Sequence, residues 1–213
     1  RSLGATTPSP DDLTALSIED LMALPITSVS KRPQKQIEAA AAVFVITQED
    51  IRRSGATSIP ELLRMVPGVE VARIDANKWA VTARGFNGRF SNKLLVLFDG
   101  RTVYGPMFSG VFWESQDYIL EDIERIEVIR GPGASLWGAN AVNGVINIIT
   151  KKAKDTQGGL QTAAFGDHEA SSGTRYGGKL GDKTFYRAYT KYYDNSGFPG
   201  TRFNRSDSWN YSA

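Results

Sequence analysis

The stretch "RGPGASLWGANAVNGVINIITKK" (residues 130–152) decides the fold, because it admits two readings that lead to different protein classes. Four glycines, a tryptophan and two asparagines lie between Gly131 and Gly144, and a β-branched run follows at once. A phosphate cradle would explain so much backbone freedom, but it needs a strand before the loop and a helix after it. The strand is there: in "RIEVIRG" (Arg125 to Gly131), Ile126, Val128 and Arg130 share one face, with Glu127 and Ile129 on the other. The helix is not. The glycines fit neither G-x-G-x-x-G nor G-x-x-x-x-G-K-[ST], and "VINIIT" suits a second strand. Strand, tight Gly-rich turn, strand is therefore the expectation, with the glycines supplying positive φ or close backbone approach.

The segment upstream reads as a compact α/β unit. "AAVFVITQEDIRRSG" predicts a strand (Val43 to Ile46) and a helix capped by Thr47, boxed by Asp50 and stopped at Gly55. "SIPELLRMVPG" predicts the same device again, with Ser58 as the cap, Pro60 in the first turn, Glu61 closing the box and Pro67-Gly68 ending the helix. "VEVARI", "WAVTARGF" and "KLLVLFDGRTVY" read as strands, and Asp99-Gly100 signals a hairpin. The loops between them, "DANK", "NGRFSNK" and "GPMFSGVFW", mix cations, amides and aromatics. Such rings can plug a core or face a ligand.

The two ends differ from this middle. Residues 1–36 open on a Ser/Thr/Pro-rich tract, then "SIEDLMAL", a short helix with Ser17 as cap, then "ITSVSKRPQKQ", extended and without a partner strand. From about residue 153 helix signals vanish. In Phe185 to Tyr193, Tyr186, Ala188 and Tyr192 fall on one face, and Arg187 and Lys191 on the other. An outer-membrane barrel strand has this pattern, and so does a soluble sandwich.

Composition narrows the function. A net charge of +2 over 213 residues argues against a dedicated nucleic-acid binder. The lack of cysteine removes disulfides, thiolate metal sites and a cysteine nucleophile. The single histidine, His168, sits in the polar turn "FGDHEASSG", so no His-based catalytic or metal site is expected, and no cofactor. No run of apolar residues is long enough for a membrane-spanning helix. Starting at Arg1 without a signal peptide, the chain is expected to be a mature form or a fragment.

The motifs "VFVITQEDIRRSG", "SIPELLRMVPGV", "ARGFN", "LLVLFDG", "IERIEVIRGPGASLWG" and "NAVNGVINIIT" occur in fixed order, and with them the chain from about Ile26 to Tyr193 resembles TonB-dependent outer-membrane receptors. It departs from them at Trp137, where tyrosine is commoner, and at Asn143, where a second glycine is usual; asparagine also suits a left-handed backbone. The resemblance implies an α+β plug domain with a mixed β-sheet and short helices at residues 37–152, and the first antiparallel strands of a 22-stranded transmembrane β-barrel at 153–213. It aligns Ile26, Thr27, Ser28, Val29 and Ser30 with the TonB box, which adds as a strand to the periplasmic domain of TonB. It makes the loops at 73–78, 87–92 and 104–113 the apical, ligand-facing loops, with Arg73, Lys78, Asn87, Arg89, Phe90, Tyr104, Phe108 and Trp113 as candidate contacts. Cations and rings suit an anionic, partly apolar iron chelate such as a ferric siderophore. It points Arg84 and Arg130 at carboxylates of the barrel wall.

The implied activity is uptake, not catalysis, by a monomer in the Gram-negative outer membrane, surrounded by lipid. Cobalamin, haem, copper complexes and oligosaccharides are alternative cargoes of the same family. Two readings from other classes stay open: a freestanding periplasmic binding or signalling module, and a soluble nucleotide-binding enzyme.

Overall fold

The computed structural model describes residues 42–85, 88, 93–105, 107, 110–131, 137–138 and 140–195, with the backbone of 25–26, 34–35 and 211–212. The predicted helix at 17–24 lies outside the described residues, as do Thr27–Ser30, Asn87, Arg89, Phe90 and Phe108. Strands β1 (Pro25–Ile26) and β2 (Gln34–Lys35) pair antiparallel. Ile26, the first residue of the candidate TonB box, thus lies opposite Gln34.

The plug is organised on a mixed sheet of β3 (Ala42–Thr47), β6 (Leu94–Phe98), β7 (Arg101–Thr102), β8 (Ile123–Arg130) and β9 (Gly144–Thr150), in the order β3-β8-β9-β6-β7. Only β6 and β9 run parallel; the other pairs are antiparallel. The central strands read as unbroken apolar runs because both faces are covered. One face carries Ile46, Leu94, Val96, Ile126, Val128, Ile146 and Ile148, packed with the helix residues Ile51, Ile59 and Leu62. The opposite face carries Leu95, Leu97, Ile129 and Val145, with Trp137 packed against them. Glu127 and Asn147 are buried there too and face each other across β8 and β9; Arg125 Nε donates to Glu127 Oε1 at 2.9 Å. The strand faces expected for Arg125 to Gly131 are those observed.

The first helix, α1 (Gln48–Ser54), has the expected capping box: Asp50 N donates to Thr47 Oγ1 and Thr47 N donates to the Asp50 carboxylate. Gly55 ends it at φ 68°, a left-handed position that glycine adopts without strain. The second box is displaced from its expected place. Ser58 precedes α2 (Ile59–Leu62), but its hydroxyl makes no cap and is buried without a hydrogen-bond partner. Glu61 reaches past it, accepting from Thr57 N at 3.0 Å and from Thr57 Oγ1 at 3.2 Å.

The Asp99-Gly100 turn is the expected two-residue hairpin, with both residues at positive φ and Phe98 opposite Arg101. A second antiparallel pair, β4 (Val69–Arg73) and β5 (Trp79–Ala83), covers the first core. At the end of the glycine-rich stretch, a Cβ on Gly144 would come inside 3.0 Å of the Ile129 carbonyl oxygen, so this glycine serves close approach. Asn143 is not in the left-handed region, which the non-glycine residues Arg84 and Asp99 alone enter among the described residues. Its backbone does the work: Asn143 O accepts from Gly131 N at 3.1 Å, and Asn143 N donates to Lys93 O at 2.8 Å.

Beyond the plug, β10 (Gly158–Phe165), β11 (Glu169–Leu180), β12 (Thr184–Asn195) and β13 (Tyr211–Ser212) form an open antiparallel meander. Exposure alternates along β10 and β12. Phe165, Tyr176, Leu180, Tyr186 and Tyr192 are exposed, whereas Arg175 and Lys191 are buried against the plug. This is the alternation expected from the sequence. Exposed His168 lies in the turn between β10 and β11. No described helix is long and apolar enough to cross a membrane, which says nothing of strands.

Candidate functional site

Two regions join plug and strands. The first is the β4–β5 hairpin, whose loop holds two nominated ligand contacts. Arg73 Nη2 and Nε donate to Ala76 O at 2.7 and 3.2 Å, and the guanidinium lies 5.3 Å over the Trp79 ring, which Arg64 approaches as well. Lys78 Nζ is 2.9 Å from Asp75 Oδ2. Both cations therefore shape the loop they sit in. Arg73 also lies 4.0 Å from Glu169 at the start of β11, and Glu169 accepts from Thr57 Oγ1 at 3.0 Å, so this corner of the plug is tied to the strands.

In the 104–113 loop, Gly105 and Gly110 bridge antiparallel, Tyr104 is half-buried and Met107 stands out at 86% exposure. Trp113 does not belong to the exposed set. It is 5% exposed within the first core cluster, at the start of a 3-10 turn (Trp113–Ser115), and cannot reach a ligand above the loop. A loop has no periodicity to mark which of its rings turns inward, so the candidate contact becomes a core residue. Arg130 Nη1 donates to Pro67 O at 3.0 Å within the plug, whereas Arg84 is exposed, its guanidinium 3.5 Å from where a Cβ on Gly131 would stand.

The second region is a buried ionic seam that the motifs did not point to. Asp117, Tyr118 and Asp122 come from the segment between the 3-10 turn and β8, and Arg175, Arg187 and Lys191 from the inward faces of β11 and β12. Asp122 Oδ1 lies 3.2 Å from Arg175 Nη1, and its Oδ2 lies 3.7 Å from Arg187 Nη1. Lys191 Nζ is 2.5 Å from Asp117 Oδ1 and donates to Tyr118 O at 3.2 Å. Arg187 Nη2 donates to the Tyr118 hydroxyl at 2.7 Å, and Nη1 to Lys151 O at 2.9 Å. Tyr118 meets Tyr189 edge-on at 4.9 Å and Phe98 at 5.2 Å.

Local structure explains why these groups meet. Thr150 N and Oγ1 donate to the Asp99 carboxylate at 2.8 and 2.9 Å, which fastens the β6–β7 turn to the end of β9. Lys151 N donates to Asp122 O at 2.8 Å, so the chain leaves the plug beside Asp122. Along β11, Gly173, Arg175 and Gly177 share the inward face. A Cβ on Gly173 would touch Ile119, and one on Gly177 would collide with Thr156 O. The two glycines leave room for the Ile119 and Thr162 side chains and for the Thr156 backbone.

Burial raises the Tyr118 pKa above its usual value, against the lowering pull of Arg187. It lowers the Lys151 pKa, against the raising effect of Asp122. Charges so enclosed hold because they are paired. The arrangement offers no nucleophile poised on a base, and among the described residues no group of three or more His, Asp or Glu side chains could hold a metal. What it can do is clamp one body to another by reversible ion pairs.

The class that the structure defines is a mixed-sheet domain seated on the charged face of an open antiparallel sheet whose other face is aromatic. The profile of the TonB-dependent Receptor Plug Domain family matches residues 35–145, more than half of the chain, and the chain belongs to this family. The vitamin B12 transporter BtuB of Vibrio vulnificus (strain CMCP6) is 32% identical over 143 residues, covering 66% of this chain and 23% of the relative. The siderophore receptor PirA of Acinetobacter baumannii shares the fold with TM-score 0.55 at 28% identity, over 76% of this chain and 26% of that one. The pyoverdine outer membrane receptor FpvA of Pseudomonas aeruginosa PAO1 shares it with TM-score 0.59 at 21% identity, over 84% and 26%. The chain thus spans about a quarter of the length of these relatives, which are transporters and receptors.

Proposed function

We propose that the chain forms the plug and leading wall strands of an outer-membrane receptor that takes up a ferric siderophore or another iron complex, with TonB as the energy-coupling partner. The observation that carries this reading is the seam: a folded plug held against an inward, cation-bearing strand face whose opposite face exposes Phe165, Tyr176, Tyr186 and Tyr192. An aromatic exterior suits lipid and a charged interior suits a plugged lumen. Ligand at the apical loops favours the state in which Ile26 to Ser30 is free to pair with TonB, and a differential affinity for that state is what couples the two ends. Arg73, Lys78, Asn87, Arg89, Phe90, Tyr104 and Phe108 remain the proposed contacts, joined by exposed Met107.

Cobalamin is the second reading. The identity to the vitamin B12 transporters of Vibrio, 32–33%, exceeds the 28% shared with PirA. The test uses the full-length receptor with ferric enterobactin and cyanocobalamin as calorimetric probes, and with the TonB periplasmic domain as a pull-down partner. Binding of the iron complex, with TonB capture lost when Ile26 to Ser30 is deleted, supports the proposal. Binding of cyanocobalamin alone selects the second reading, and TonB capture unchanged by the deletion removes the box assignment.

A further inference from the structure

We infer that Arg175, Arg187 and Lys191 form a binding site for a compact polyanion bearing carboxylate or phenolate oxygens, occupied in the seated plug by Asp117 and Asp122 and opened when that plug segment leaves the wall. The inference rests on the plug-gated reading above and adds a place on the wall that receives the cargo in transit.

The strand register builds the site. Arg175 on β11 lies directly opposite Tyr189 on β12. Arg187 and Lys191 flank Tyr189 on the same inward face, each about 7 Å along the strand. Across from Arg187 is Gly177 and across from Lys191 is Gly173, so β11 places no side chain beside either cation. Three cations surround one ring, and the space beside the two glycines is taken by the Thr156 backbone and by the Thr162 and Ile119 side chains.

The plug carboxylates fill this site incompletely. Three cations face two acids, Asp117 and Asp122. Arg175 is 9% exposed, yet its Nε has no hydrogen-bond partner, and neither has Asp122 Oδ2. The Arg175 guanidinium spends Nη1 on Asp122 and on Thr156 O and leaves its fork unused, although a planar oxyanion can engage such a fork with two parallel bonds. Withdrawing the plug segment removes both acids together with the Tyr118 and Lys151 oxygens that the cations hold, while Thr156 O stays with Arg175 on the wall. The cations would then stand unpaired on a low-dielectric wall, where a patch of one sign concentrates counter-ions. Glu169 is the acid on the inward side of β11, and it is engaged at the hairpin end with Thr57 and Arg73.

The experiment places the full-length receptor in planar lipid bilayers and releases the plug with moderate urea, which opens weakly held elements before a hydrogen-bonded barrel. The probe is inorganic pyrophosphate, added to the urea-opened channel. Blockade by pyrophosphate that becomes about tenfold weaker in R175Q/R187Q/K191Q, as three partly screened charge contacts together would give, supports the site. The same substitutions should shift ion selectivity away from anions. Because the triple variant can fail to assemble, D117N/D122N is the second arm: it keeps the three cations and loosens the seated plug, and pyrophosphate blockade is expected at lower urea than in the natural receptor. Blockade and selectivity unchanged in the triple variant, or no pyrophosphate blockade at lower urea in D117N/D122N, would overturn the site while leaving plug gating intact. If urea opens no conductance in the natural receptor, the plug-gated reading itself fails and the site falls with it.

Discussion

In the plug sheet, the face of β8 that carries Ile126 and Val128 packs into a cluster made mostly of Ile, Leu and Val side chains; in the wall, β12 buries one face, and what it presents to the plug is Arg187, Tyr189 and Lys191. The first contact is apolar, non-directional and indifferent to salt. The second consists of ion pairs and hydrogen bonds that need particular distances, and it weakens when any partner moves. The difference teaches that cohesion of the plug and its attachment to the wall are separate quantities.

The largest effect should come from the cohesive side. Ile146→Ala empties a fully buried position at the centre of the sheet, and about 4 kcal/mol of plug stability should go with it, read from urea unfolding followed by the buried Trp79 and Trp113 in the full-length receptor. The loss should be the same at low and high salt. On the attachment side, Asp122→Asn leaves Arg175 and Arg187 facing each other without a carboxylate, and about 3 kcal/mol of seating should be lost, visible as plug release at lower urea. If the loss appears instead as plug unfolding with the seat intact, the separation of the two quantities is wrong.

A smaller effect is confined to alkaline solution. Burial lowers the Lys151 pKa, so the folded state disfavours its charge, and that penalty is fully present below the folded pKa. It is relieved as pH rises toward the unfolded value of 10.5, so stability contributed at this site should climb through that window. Tyr118 works the other way: its raised pKa favours the neutral phenol, and the benefit present below 10.0 is lost as pH rises past the folded value. Lys151→Met should abolish the rising component and leave the falling one, in a pH series of unfolding midpoints. The smallest change is Asn143→Gly. Its N–H and carbonyl are engaged and its φ needs no glycine, so about 0.5 kcal/mol or less should be lost.

The same contrast explains what the sequence made legible. The cap on Thr47, the stop at Gly55, the Asp99-Gly100 turn and the two strands around the glycine-rich stretch are each encoded within a few residues, and each is found where expected. The alternation that set Arg187 and Lys191 apart from Tyr186 and Tyr192 is equally local, and it marked these two seam cations in advance, though not Arg175. The other half was not legible, because Asp117 and Asp122 sit in an irregular segment without period, and their partners are chosen by how a whole plug seats on a wall. Asp99 announced only a turn, while its carboxylate also fastens Thr150 beside the seam. Trp113 was misjudged for the same reason, since an aromatic in a Gly-containing loop carries no mark of which way it turns. Ser58 shows the limit within a motif: the box residues were right in type, and the Glu61 carboxylate closes on Thr57, one residue before the expected cap.

The most direct test of an ionic seat is a double-mutant cycle between Asp122→Asn and Arg187→Gln in the full-length receptor, read as the urea midpoint of plug release at low and at high salt. The structure predicts a coupling of about 2 kcal/mol between the two sites, reduced in high salt, because the side chains are paired and nearly buried. Additive losses, with no coupling at either salt concentration, would contradict the claim that this pair holds the plug to the wall.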